Sequence, residues 1–140
     1  MIVVDTSVWI ELFRATGSSA HLTLRSLLAQ RAELATTEIV VMEILAGVRS
    51  APERRAVRAQ LLGLPVLALR GVLDYERAAE LYCRLRGRGV TPRQLTDLLI
   101  VVCTMDAGAA LLHADRDFDR LATETGLAIH PHIPPHGACG

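Results

Sequence analysis

The 140-residue chain contains no lysine: its fifteen basic residues are all arginine, set against fifteen acids. Chemistry that needs a lysine amine is therefore excluded, and the balanced total predicts no polyanionic partner from bulk charge. Cysteine is scarce. Cys83, Cys103 and Cys139 form no Cys-x-x-Cys pair, and an odd number without an export signal argues against a disulfide framework. Cys83 and Cys103 are expected to pack in the core. Long apolar stretches are missing too: the longest, 98–103, falls far short of the roughly 18–20 residues needed to span a bilayer, and MIVVDTS lacks the basic flank of a signal peptide. These absences point to a cytoplasmic protein. Nor is there a repeat, linker or low-complexity segment before the tail HPHIPPHGACG.

What is present suits one domain of ordinary size, since 51% of the residues are hydrophobic and can form a substantial core. The arginines gather in two groups, Arg49, Arg54, Arg55 and Arg58, then Arg84, Arg86, Arg88 and Arg93, giving two local basic patches. β-Branched residues 2–4 stop at Asp5, and TSVWIELF supplies a Thr/Ser helix start. Leu22, Leu24, Leu27, Leu28 and Arg31 share a second helical face, and 34–36 read as a brief strand. Thr37 is placed to cap a helix over 38–48; RSAPERR breaks it, and Pro52 suits the first turn of the next. A strand over 66–69, an amphipathic helix over 72–86, a loop at GRGVTP and an apolar helix from Arg93 or Thr96 follow. A strand at 109–113, a helix at 117–124 and a last strand at 127–129 complete the pattern. Such alternation predicts an α/β domain over 1–130, with a mainly parallel sheet covered on both faces, and an extended or flexible tail over 131–140. His130, His132 and His136 could bind a metal, but irregular spacing among three prolines favours a plain terminus.

The acids carry the chemistry. LLHADRDF, 111–118, concentrates charge at the exit of a buried strand, where desolvated carboxylates cost several kcal/mol without a cation or donor. Asp5 ends the first strand, as a helix cap or a binding group. Glu43 lies among apolar residues in IVVMEILA, so its helix is expected to be buried almost all round and the carboxylate to need a partner such as Arg49. Asp97 opens the apolar helix, where the dipole alone favours it by roughly 0.3–1 kcal/mol. Asp115 and Asp117 admit an Asx turn and a cap. Ligands bind parallel sheets beyond the strand carboxyl ends, so all of these can converge there. Convergent carboxylates suit Mg²⁺ or Mn²⁺, which keep several waters and accept phosphate oxygens. Glu11, Asp106 and Asp119 are expected at the surface; Asp106 is about 900° of helical rotation beyond Asp97 and faces the other way. Trp9 is expected in the core.

MIVVDTSVWIELF, TEIVVMEILAGVR and QLTDLLIVVCTMDAGAALLHADRDFDRLA, in this order and at this spacing, resemble a PIN-domain ribonuclease of the VapC toxin type over nearly the whole chain. The resemblance implies a PIN-like α/β fold with a four- or five-stranded, mainly parallel sheet flanked by helices. It also implies Mg²⁺-dependent endonucleolytic cleavage of RNA to a 5′-phosphate and a 3′-hydroxyl, neutralisation by a cognate VapB-type antitoxin, homodimers and hetero-oligomers with that antitoxin. It gives acidic-site roles to Asp5, Glu43, Asp97 and Asp115, with Asp117 a further ligand; Asp5, Asp97, Asp115 and Asp117 would hold metal, while Glu43 orients or deprotonates the attacking water, or holds a second ion when substrate arrives. Thr6 matches the hydroxyl beside the first Asp, and Arg84, Arg86, Arg88 and Arg93 are candidates to grip RNA phosphates. His113 departs from the pattern, standing where relatives often carry Thr.

Other readings fit less well. A phosphate-accepting receiver domain resembles a family that needs a lysine, and a haloacid-dehalogenase-like phosphatase would set its Asp-x-Asp after the first strand. A non-catalytic RNA- or protein-binding module that keeps the fold is the alternative.

Overall fold

In the computed structural model, which describes residues 1–134, helices separate each strand from the next and the paired strands run parallel. The first strand, β1 (Ile2–Val4), ends at Asp5, whose extended backbone and carboxylate cap the helix α1 (Thr6–Phe13). Ser18 caps α2 (Ser19–Ala29). That helix stops short of Arg31, which adopts a left-handed φ of 52°. After β2 (Leu34–Thr37), Thr37 Oγ1 accepts from Val40 N at 3.1 Å and starts α3 (Glu38–Gly47). Ser50 caps α4 (Ala51–Leu62), with Pro52 in its first turn, where the missing N–H is no loss. Then come β3 (Val66–Leu67), α5 (Val72–Gly87), α6 (Leu95–Asp106), β4 (Ala110–Leu112), α7 (Arg116–Thr125) and β5 (Ala128–Ile129). Gly126, at φ 78°, ends α7 in the left-handed conformation that glycine adopts without a Cβ clash.

The five strands order as β3-β2-β1-β4-β5, all parallel, with Val3 opposite both Ala35 and Leu111. From β1 the chain winds outward through β2 and β3, then crosses back to β4 and β5. The order therefore reverses between β1 and β4, and the crevice at their carboxyl ends is where such sheets bind ligands. Helices cover both faces, which is why β1 and β4 read as unbroken apolar runs; Val3, Val4, Leu111 and Leu112 are fully buried. Each such side chain contributes roughly 1.5–3 kcal/mol by leaving water. Trp9 is fully buried and stacks on Phe13 at 5.8 Å, so it belongs to the core.

Two expectations are corrected. Cys103 is buried, but Cys83 is exposed, because it falls on the solvent side of α5. Cys139 and His136 lie outside the described residues, as does 135–140 of the expected tail. The helix α3 is not buried all round: Ile39, Val40 and Ile44 face the core, whereas Met42 is 55% exposed and Glu43 half-buried. Its neighbours pack on only part of its circumference. After β5, residues 131–134 run without regular structure and are held in place, since Ile133 N donates to Thr23 Oγ1 at 2.8 Å and His132 bonds to α2 and to the exit of β4.

Asp106 is not a free helix-end charge either. With Asp74, only 2% exposed, it forms a cluster with Arg70 and Arg77 that pins α5 to the far end of α6. Hydrogen bonds from Arg70, then from Arg77, hold the Asp74 carboxyl down at about 2.

Candidate active site

The crevice between β1 and β4 gathers the acids. Asp5 is buried where β1 ends, and its Oδ2 accepts from Ser7 N at 3.0 Å and Ser7 Oγ at 2.5 Å. Burial pushes the Asp5 carboxyl up, and the Ser7 bonds pull against it. The same Ser7 hydroxyl accepts from Ala114 N at 2.9 Å, so one side chain ties the start of α1 to the turn after β4. Sequence reading passed over Ser7; its signal was a hydroxyl two residues after a strand-ending Asp.

Glu43 arrives from α3, and Thr6 Oγ1 donates to its Oε1 at 3.0 Å. Its partner is thus the Thr6 hydroxyl rather than Arg49. Burial raises the Glu43 carboxyl, and the Asp5 charge adds to this. Asp97 sits in the first turn of α6 at 8% exposure. The helix dipole favours its charge by roughly 0.3–1 kcal/mol, too little to decide the outcome. Burial first, then the charges of Asp5, Asp115, Glu43 and Asp117, push Asp97 up to about 7. The four other carboxylates therefore all act on Asp97.

Asp115 caps α7 by accepting from Asp117 N at 3.0 Å. Arg93, from the loop before α6, closes the group: its Nη2 donates to Asp115 Oδ1 at 2.7 Å and its Nε to Asp117 Oδ2 at 2.8 Å. Arg93 also gives its backbone N–H to Asp117 at 3.3 Å, and these bonds hold the Asp117 carboxyl low. His113, in place of the expected Thr, organises the same turn. Its Nδ1 accepts from Asp115 N at 3.1 Å, so the proton sits on Nε2 and is donated to Asp119 Oδ1 at 3.0 Å.

Of the four arginines expected at the site, Arg93 alone reaches these acids. Arg84 lines a separate cleft with Arg77, Asp106 and Thr125. Arg86 lies over the Tyr82 ring at 5.5 Å, and Arg88 pairs with Glu124 at 3.2 Å. Arg84 and Arg86 stand in the last turn of α5 and Arg88 is its C-cap, and their partners lie outside the acid group.

The donor chemistry suits a hard divalent cation: oxygen atoms only, net negative, at a switch point, with one carboxyl raised by the others' charge. Among the described residues, no three acidic, His or Cys side chains stand close enough to enclose an ion together. Arg93 spans Asp115 and Asp117 instead, so the cradle fits Mg²⁺ through bridging waters more readily than as a dry cage.

Parallel topology, a carboxylate crevice and a helix that brings Glu43 alongside Asp5 define a class, and the comparison with known families agrees. The PIN-domain family matches residues 2–124, and the chain belongs to it. Within that family it is similar to Ribonuclease VapC11 of Mycobacterium tuberculosis and to VapC ribonuclease Mb1587 of Mycobacterium bovis. Each is 39% identical over 128 residues, 91% of this chain and 96% of the relative. The fold is similar to that in the crystal structure of VapBC2 from Rickettsia felis bound to a promoter DNA fragment, with a TM-score of 0.71 at 20% identity over 93% of this chain and 98% of that one. Mycobacterium tuberculosis VapC20, a sarcin-ricin loop cleaving toxin, gives 0.67 at 23% identity over 94% and 100%.

Proposed function

We propose that this chain is a Mg²⁺-dependent endoribonuclease, with Mn²⁺ able to substitute, and that it acts in the cytoplasm as the toxin of a VapBC-type pair. The observation that carries the reading is Asp97, raised to about 7 by burial and four neighbouring carboxylates at the switch point. Similarity to ribonucleases named VapC supports it. Asp5, Asp97 and Asp115 would hold the ion directly or through water, with Asp117 assisting. Bound there, a divalent cation supplies charge to offset the crowding, acidifies a water and takes up phosphoryl charge.

The residues do the rest. Glu43, fixed by Thr6 and raised by burial, orients the attacking water and accepts its proton. The water oxygen bonds to phosphorus in line as the bond to O3′ breaks, leaving a 5′-phosphate and a 3′-hydroxyl. Arg93 is 68% exposed, so the guanidinium edge not used by Asp115 and Asp117 faces the strand and pairs with a phosphate oxygen. A separate groove of about 460 Å³, lined by Ile10, Phe13, Ile44 and Val57, runs to Glu43 between α1, α3 and α4. It suits a segment of the antitoxin, whose approach would cover the general base.

Induced expression tests the reading. The wild type is expected to arrest bacterial growth, Asp5→Ala and Asp97→Ala to grow normally while accumulating as well as wild type, and the antitoxin to restore growth. Purified protein is expected to cleave RNA from its own source with Mg²⁺ and to stop when the ion is chelated. RNA binding without cleavage under any divalent ion would replace this reading with that of a binding module.

A further inference from the structure

On the other side of Asp115 from the crevice, a cavity of about 480 Å³ opens among Glu11, Ser18, Asp119, His130 and Pro131. Its walls come from the end of α1, the start of α2, the turn after β4 and the chain leaving β5. They are cross-tied. His132 Nε2 donates to His113 O at 2.6 Å, and its Nδ1 accepts from Ser19 Oγ at 2.9 Å. His113 in turn holds Asp119. A cavity braced this way is formed before any ligand arrives.

Charge decides what it accepts. Glu11, Asp115 and Asp119 outweigh the one arginine of the lining, Arg116, so the cavity disfavours a phosphate and attracts the N–H groups of a base. Acceptors remain open: the Thr16 and Ser18 hydroxyls both use Glu11 Oε2, leaving Oε1, and His113 uses Asp119 Oδ1, leaving Oδ2. Ala20, Ile129 and Pro131 add apolar surface. The His130 ring makes no hydrogen bond among the described residues, and burial lowers its pKa, so it offers a neutral aromatic face for stacking.

We propose that this cavity is a base-recognition subsite for a nucleotide beside the cleaved phosphate, selecting guanine through Glu11 and Asp119. The inference rests on the nuclease reading, because Asp115 is what joins the cavity to the chemistry. Guanine fits by its donor count. It presents N1–H and an amino group on one edge, adenine and cytosine present an amino group alone, and uracil sets its ring N–H between two carbonyls that the acids repel.

Fluorescence anisotropy on the full chain tests it, with octamers of uridine carrying G, inosine, A or C at one position, in EDTA so that no strand is cut. The wild type is expected to bind G roughly five- to tenfold more tightly than inosine, which lacks the amino group, as for one good base contact. Glu11→Gln and Asp119→Asn, each a one-atom change, should each bring that ratio to within about twofold. Equal wild-type affinities overturn the subsite, as does a G preference intact in both variants; the wild-type series decides even if one variant misfolds. Cleavage in Mg²⁺ is scored separately. Cleavage without base preference overturns the subsite alone, whereas G preference without any cleavage supports the subsite and rejects the nuclease reading.

Discussion

Arg93 is joined to Asp117 twice, through Nε at 2.8 Å and the backbone N–H at 3.3 Å, and both bonds fall on the same carboxylate oxygen. Asp117 thereby anchors a cation whose other arm lies on Asp115. In the proposed mechanism the guanidinium would compete with a divalent ion for Asp115 while also pairing with the strand. Arg93→Ala is therefore expected to bind Mn²⁺ about three- to tenfold more tightly by calorimetry, and to lose about 10- to 100-fold in kcat/KM on RNA. Arg93→Lys should recover little, because an ammonium cannot bridge two carboxylates as a planar fork does. Unchanged Mn²⁺ affinity in Arg93→Ala would show that Arg93 does not compete.

Asp97 makes stability depend on pH. A carboxyl whose folded pKa, about 7, lies above its unfolded value binds more protons folded than unfolded. Its stabilising contribution is complete below about pH 4 and is lost as pH rises through 7. Asp97→Asn mimics the protonated form, so without divalent metal it should melt about 3–8 °C above wild type at pH 8, with the gap closing towards pH 4. Millimolar Mg²⁺ should raise the wild-type Tm and leave that of the variant nearly unmoved. Parallel melting curves at every pH would count against the crowding.

Ser7 offers a subtler test, since its hydroxyl donates to Asp5 while accepting from Ala114. Ser7→Ala should cost about 1 kcal/mol of stability in urea unfolding. It should also release Asp5 to rise further, moving the acid limb of the kcat/KM profile upward, and Ser7→Thr should restore the limb. A limb that stays in place would make Ser7 a fold residue only.

The cluster at the far end of α6 has the opposite pH signature. Asp74, held at about 2 by Arg70 and Arg77, adds stability that is present above about pH 4 and is lost as pH falls through 2. Asp74→Asn should therefore lower Tm at neutral pH, with the difference vanishing near pH 2, as followed by circular dichroism.

How much of this was readable beforehand varies with the range of the interaction. Strand and helix order was legible because a parallel sheet covered on both faces leaves short, unbroken apolar runs such as 2–4 and 110–112. Asp5, Thr37 and Asp115 were legible as strand ends because a cap is a local event. Arg93 stood out in the sequence as a candidate phosphate contact, but not as a partner of Asp115 and Asp117, 22 and 24 residues on, since nothing local fixes which way a loop side chain turns. Asp119 and Asp106 are exposed as expected, but for the same reason their partners, His113 and the Arg70–Arg77 pair, were not legible, and Cys83 looked apolar enough for the core. Met42 misled differently. An all-apolar helix predicts burial on every side, whereas α3 leaves part of its surface open beside the groove to Glu43.

The two outermost strands, β3 and β5, are only two residues long apiece. A foreign backbone arriving at either edge would find too few free amide and carbonyl groups to extend the ladder, so the protein resists being recruited into mixed sheets or fibrils. The same brevity dictates how any partner must be captured. It must be held by side-chain surfaces on the helices rather than stitched on as a sixth strand.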